Sequence, residues 1–343
     1  MHILRRWFWL GGLLVMVAVF FWLRGEGPSA QRVEAAAPAP SVASPPKTWG
    51  VYQILWQVSQ FQSGLDAQID LLGDSPDYVL FFRDLSQRRG FPVRPAQVVF
   101  ERGAVPIISL ELELWGRGGA GPDVLQRIVD GDFDDFFRRF AQQAVRYVPE
   151  GQRAILRFGF EMNGDWFDWG AQPEAFVKAW RHAHGVVAPI AGDRVEWMWS
   201  PNIIWGDRTP EKDLFPYYPG DAYVDHIALD GYNFGDSHSQ WHRWQSFEEI
   251  FERSIAALHA KYQRPIFIAE VGCADDPRKA QWLADFFKRV LADPRVSGWT
   301  YFNYDKRREG EPNWRLDSDP ESLAVARSYL NGPGQTAPVS YGD

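Results

Sequence analysis

Cysteine is nearly absent: Cys273 is the single one in 343 residues. No internal disulfide can form, so a packed core must hold the fold. A basic excess is missing too. The formal net charge is −8 and the pI about 5.5, which argues against a nucleic-acid partner. No glycine-rich phosphate loop or dinucleotide fingerprint occurs, and no cofactor is expected. Asp236, His238 and His242 carry an i, i+4 histidine pair, but no glutamate follows the first histidine and no third clear ligand is present. They read as a solvated loop, and no metal is expected.

Long apolar runs are also scarce, with one exception. Trp7 to Leu23 is 17 residues without a charge, preceded by Arg5 and Arg6. That is short for a spanning helix and long for a signal-peptide core. It predicts a signal anchor or signal peptide over residues 1–24, with the chain attached to the inner membrane and the rest periplasmic or extracellular. Cleavage within Ala35–Ala37 would instead release it as a secreted protein. Residues 25–47 are rich in Ala, Pro and Ser and read as a tether. Residues 48–331 form the folded domain and 332–343 a tail. Tryptophan, by contrast, is plentiful: 17 residues, three of them (Trp7, Trp9, Trp22) in the N-terminal run. The other fourteen suit either core packing or flat platforms for the C–H faces of sugar rings.

From Trp49 onward, apolar strand-like runs alternate with amphipathic helical ones. Strands are expected at Trp49–Ile54, Tyr78–Phe82, Pro106–Leu110, Ala154–Phe158, Val195–Ser200, His226–Leu229, Pro265–Ala269 and Ser297–Phe302. Phe133, Phe136, Phe137, Phe140, Ala144 and Val148 make one helical stripe. Asp276 and Pro277 are expected to open the helix that buries Leu283, Phe286, Phe287 and Val290. Strands that are apolar throughout belong to a sheet covered on both faces. Eight such units predict an α/β fold, a closed (β/α)8 TIM barrel. Its mouth would then be lined from the strand ends by Arg83, Glu111, Glu161, Asn163, Trp199, Asn202, Asp230, Tyr232, Glu270, Tyr301 and Asn303.

Two glutamates stand out in that set. Glu161 and Glu270 each close a short apolar run, and an unpaired buried charge is too costly unless it faces a cleft. Each alone could cap a strand or pair with an arginine. Together they match the acid and nucleophile of retaining glycoside hydrolysis, which sit about 5–5.5 Å apart. In this reading Glu161 is the acid/base, its pKa lifted by Phe158, Phe160, Trp166 and the negative Glu270. Glu270 is the nucleophile, kept ionised by Tyr232 or Arg157.

Arg157-Phe-Gly-Phe-Glu-Met-Asn-Gly-Asp-Trp-Phe-Asp-Trp-Gly170 resembles the acid/base signature of glycoside hydrolase family 26, which groups β-mannanases with some β-1,3-1,4-glucanases and β-1,3-xylanases. Trp197–Asn202, Val224–Asn233, Ile268–Gly272, Tyr301–Lys306 and Trp314–Asp317 are similar to the family in the same order. The resemblance implies a clan A barrel, net retention, Glu161 as acid/base, Glu270 as nucleophile and Tyr232 as its hydrogen-bond partner. Phe160 departs from the family's histidine, and Tyr301 stands where a tryptophan platform is expected, with Trp299 as a substitute. Phe160, Trp166, Trp169, Trp199, Asn202 and Tyr301 are the expected sugar-binding residues.

These readings predict a membrane-tethered, retaining, endo-acting glycoside hydrolase that cleaves a β-linked polysaccharide, with trimming of an exported exopolysaccharide as the cellular role. The alternatives are a non-catalytic glycan-binding barrel and a transglycosylase using the same carboxylates.

Overall fold

The computed structural model describes residues 47–331, apart from Trp56, residues 87–89, residues 115–120, Ser237 and residues 240–241. The run Trp7–Leu23 lies outside these, as do the tether up to residue 46 and the tail. Among the described residues no helix is long and apolar enough to cross a membrane.

Eight strands are present: β1 (Thr48–Tyr52), β2 (Tyr78–Asp84), β3 (Val105–Glu111), β4 (Ala154–Phe158), β5 (Val195–Trp199), β6 (His226–Asn233), β7 (Ile266–Cys273) and β8 (Val296–Tyr301). All pair in parallel in chain order, and β8 closes on β1 to complete a barrel. Every expected strand is found, most shifted by a residue or two at an end. The helices are α1 (Val58–Leu72), α2 (Val93–Phe100), α3 (Val124–Val129), α4 (Asp134–Tyr147), α5 (Pro173–Ala191), α6 (Arg253–Tyr262), α7 (Lys279–Ala292) and α8 (Pro320–Leu330).

Strand alternation sorts the side chains. Leu80, Ile107, Ile155, Met198, Ala228, Phe267 and Ala269 fill the barrel interior. Their neighbours Phe81, Ile108, Leu156, Trp197, Leu229 and Ile268 pack outward beneath the helices. Both faces are apolar, which is why the strands read as unbroken hydrophobic runs. Each fully buried aliphatic side chain contributes about 1.5–3 kcal/mol.

Helix α4 keeps its expected stripe, burying Phe136, Phe137, Phe140 and Ala144, with Asp134 and Asp135 in its first turn. Helix α8 starts with Pro320 after Asp319, whose carboxylate accepts the Ser322 N–H at 2.8 Å. Helix α7 begins at Lys279 rather than Pro277. Asp276 spends its carboxylate on the backbone and guanidinium of Arg278, so the chain turns once before the helix starts. At the opposite end of the strands from the mouth, Lys47 is buried and its ammonium donates to the carbonyls of Asp293 (2.8 Å) and Val296. The barrel therefore takes in Lys47, which composition alone had assigned to the tether.

Candidate active site

Strand β4 ends at Phe158, and Glu161 lies three residues beyond it on a sharp turn. Gly159 and Glu161 both have left-handed backbone, φ +52° and +51°. For glutamate that conformation costs of order 1–3 kcal/mol and is kept only where the surroundings enforce it. The Glu161 N–H donates to the Ser200 carbonyl (2.8 Å), tying the turn to the end of β5. Its carboxyl accepts from Asn202 Nδ2 (2.6 Å) and Trp166 Nε1 (2.8 Å). Asn202 is held in turn by Asn163: the Asn202 N–H donates to Oδ1 (2.8 Å), and Asn163 Nδ2 donates to the Asn202 carbonyl (2.9 Å). A Cβ on Gly164 would fall 2.2 Å from the Trp166 ring, so only glycine lets that indole reach Glu161.

Burial, and then the negative Glu270, push the Glu161 carboxyl up to about 7, against the pull of Asn202, Arg157 and Trp166. Two expected contributors act otherwise. Phe158 faces outward among Phe137, Phe176 and Trp180, and Trp166 lowers the value through its hydrogen bond.

Glu270 lies within β7 rather than at its end. The register explains how it reaches the cleft. Leu229 and Asp230 on β6 pair with Ile268 and Glu270, and Trp299 and Tyr301 on β8 pair with Ile268 and Val271. Against both neighbours β7 thus carries one extra residue, a bulge at Ala269–Glu270. Without it the alternation of Phe267 inward, Ile268 outward and Ala269 inward would send Glu270 out among the helices. Glu270 instead accepts from Arg157 Nη1 and from the Tyr232 hydroxyl.

Arg157 is fully buried and spans Glu270, Asp230 and the Ser109 hydroxyl (2.9 Å), while Ser200 Oγ donates to Asp230 (3.0 Å). The Phe160 ring lies over the guanidinium, 4.3 Å from Cζ to centroid, and packs against Phe82, Phe167 and Trp169. Phe160 lines the cleft and also covers the arginine that holds Glu270.

The cleft has a volume of about 580 Å³, and Phe160, Glu161, Trp166, Asn202, Tyr232 and Glu270 all border it. Three expected sugar contacts do not, and the pleat gives the reason. On β5 Met198 faces the interior, so Trp199 points outward, donating to the Tyr217 carbonyl (3.1 Å) and packing on Tyr218 and Tyr262. On β8 Trp299 and Tyr301 both face outward; Tyr301 is buried and its hydroxyl accepts the Cys273 N–H (3.3 Å). Trp169 lies beneath the rim, donating to the Phe160 carbonyl (2.9 Å) and stacking on Phe167 at 4.3 Å. Asp230 and Arg157 are buried behind the glutamates, and Asn303 braces Leu316 and Gln68.

The aromatic wall is made by residues the sequence did not single out: Tyr52, Phe82 and Phe302, with Tyr52 and Phe302 stacked at 4.2 Å and 3°. Phe302 is one residue past Tyr301, on the opposite face. The interior parity of each strand was the signal that would have found all three.

A family model described as glycosyl hydrolase family 26 matches residues 131–276, a stretch that holds both glutamates. Endoglucanase H of Acetivibrio thermocellus is 31% identical over 258 residues, covering 72% of this chain and 26% of that protein. Mannan endo-1,4-beta-mannosidase A and B of Caldalkalibacillus mannanilyticus is 30% identical over 148 residues, covering 40% of this chain and 25% of that protein. The chain thus spans about a quarter of the length of these curated relatives. The fold is shared with the catalytic domain of a Bacillus family 26 endo-beta-1,4-mannanase (TM-score 0.65, 18% identity, 87% of this chain and 89% of that one). A Bacteroides ovatus beta-mannanase of the family is similar (TM-score 0.64, 15% identity, 84% and 89%). Its barrel, its two glutamates and these relatives together support glycosyl hydrolase family 26, whose model the chain matches over residues 131–276.

Proposed function

We propose that the barrel is an endo-acting glycoside hydrolase that cleaves a β-linked polysaccharide with net retention. The observation that carries this is a pair of glutamates on one cleft in unlike environments. One is raised to about 7 by burial and a negative neighbour, and the other is held by an arginine and a tyrosine hydroxyl. Environments that differ in this way assign one carboxyl as the acid/base and the other as the nucleophile.

In the first step protonated Glu161 gives its proton to the glycosidic oxygen as the bond to the anomeric carbon breaks. Glu270 attacks that carbon and forms a glycosyl ester. Glu161, now a carboxylate, next takes a proton from water, and the hydroxide equivalent displaces Glu270. The sugar leaves with its configuration retained and both carboxyls return to their starting forms. Asn202 and Trp166 orient Glu161 through both steps. Arg157 and Tyr232 fix the attacking oxygen and stabilise the carboxylate on its release. The endo mode is supported by the names of the relatives, an endoglucanase and an endo-1,4-beta-mannosidase.

We also propose that the N-terminal run tethers the barrel to the inner membrane, facing the periplasm or cell surface, where an exported exopolysaccharide would be its substrate. The test of function is a panel of β-glucans, β-mannans and bacterial exopolysaccharides assayed for new reducing ends. Glu270→Gln should remove all turnover while the circular dichroism spectrum stays that of the parent. Polysaccharide binding with no new reducing ends from any substrate would instead make the barrel a binding protein.

A further inference from the structure

The cleft carries unlike charges on its two sides. Toward β3 and the segment after β8 it is lined by Glu111, Glu309 and Glu311, with Lys306 paired to Glu311. The loops after β5 and β6 line it with Arg208, His238 and His242, and among the described residues they bring no carboxylate to the cleft surface. In a chain of net charge −8, a cleft wall whose ionisable groups are all potential cations is unusual.

The three are also built into an aromatic frame. The His242 imidazole lies between the rings of Trp205 (5.1 Å, 23°) and Phe234 (4.4 Å, 34°), and its Nδ1 is 2.7 Å from the Ser239 hydroxyl. The His238 ring is 4.9 Å from that of His242. The Arg208 guanidinium carbon is 5.7 Å from the ring centroids of both Trp166 and Trp205. Burial and the positive neighbours His238 and Arg208 hold His242 below the usual histidine range, so an anion placed among them would relieve their repulsion. Arg208 pairs with Asp165 at 3.0 Å, but both side chains are more than half exposed, and such a pair yields easily to a competing carboxylate. Among the described residues no group of three His, Cys, Asp or Glu is placed to hold a metal ion.

We propose that the β5–β6 end of the cleft is a subsite for a sugar residue bearing a carboxylate, gripped by Arg208 with His238 and His242 beside the face of Trp205. The planar guanidinium fork matches a carboxylate, and the neighbouring indole offers the apolar face a pyranose needs. This names the substrate class of the cleft and rests on its reading as a polysaccharide-cleaving site.

Calorimetry on the full-length Glu270→Gln chain tests it. The probes are cellohexaose and mannohexaose, each neutral, oxidised at C6 to carboxylates, or carrying succinyl half-esters. At least one carboxylated form should bind about tenfold more tightly than its neutral parent in 20 mM salt, and the advantage should shrink at 0.5 M. The C6-oxidised and succinylated arms distinguish a uronate from an acidic substituent. Arg208→Gln should remove most of the preference, and His238→Gln with His242→Gln the remainder, while neutral binding changes less. Equal or weaker binding of both carboxylated forms, or no binding of any probe, overturns the subsite. The reducing-end assay on the parent chain is read separately: turnover with no carboxylate preference sinks the subsite alone. Carboxylate-dependent binding without turnover sinks the hydrolytic reading and leaves the subsite standing.

Discussion

Glu161 is useful to the proposed reaction because its surroundings make it a poor carboxylate. Its folded value of about 7 lies above the ordinary 4.5. The acid form is therefore favoured by folding below pH 4.5, and that contribution is lost as pH rises through 7. The same deprotonation removes the proton donor, so kcat/KM should fall above an apparent pKa near 7. Glu161→Gln should abolish that limb, hurt substrates with poor leaving groups far more than activated aryl glycosides, and raise stability at pH 8 by about 2 kcal/mol in urea titrations. A variant no more stable than the parent at pH 8 would mean that the carboxyl is not strained. Phe160 gives a second residue-scale prediction. An apolar ring discriminates sugar hydroxyls weakly, so activity on plain β-1,4-mannan should be low. Phe160→His should raise it about tenfold or more, measured as kcat/KM. No change on mannan would show that position 160 acts only by covering Arg157, over which its ring lies at 4.3 Å.

Among the elements, β7 and β4 reach the same cleft by different devices. The bulge at Ala269–Glu270 adds one residue against both neighbours. Deleting Ala269 should restore regular pairing and draw the carboxylate about 3.3 Å down the strand, away from Tyr232. Turnover should drop by about 10³-fold or more while far-ultraviolet circular dichroism still reports a barrel; retained activity would show that the bulge is not what positions Glu270. The bridge from β4 to β6 and β7 is Arg157, paired with Asp230 and Glu270 in full burial. Arg157→Met leaves two carboxylates without their counter-charge and should cost about 3–5 kcal/mol of stability. Arg157→Lys keeps the charge but cannot reach both partners with a planar fork, so it should lose activity more than stability. Melting temperature and kcat, measured together, separate the two effects.

For the whole molecule, the expected topology is the prediction furthest from the cleft. Arg5 and Arg6 before an uncharged run predict, under the positive-inside rule, a barrel outside the cytoplasm. A C-terminal alkaline phosphatase fusion should be active and a fluorescent protein fusion after the run dark; the reverse pattern ends the tether and exopolysaccharide proposals together. A truncation meant to release the barrel should begin at Lys47, because its buried ammonium bonds Asp293 and Val296. Starting at Thr48 should lower the melting temperature by several degrees relative to the longer version.

The sequence by itself determined the eight β–α units, the barrel and the two glutamates, because these rest on local composition: apolar runs of strand length and a charge where burial forbids one. Tyr232 and Arg157 were legible as alternative partners of Glu270, and the structure brings both to it. Which face each residue presents was decided by tertiary structure. Trp199 and Tyr301 stand at strand ends as expected, but strand pairing fixes the pleat, and the pleat turns both outward while Phe302 and Tyr52 turn in. The bulge that aims Glu270 exists only in its register with β6 and β8. The pKa of Glu161 likewise comes from burial and from a carboxylate more than a hundred residues away in the chain. Local pattern can state that a strand exists. Pairing, which joins distant residues, states where its side chains point.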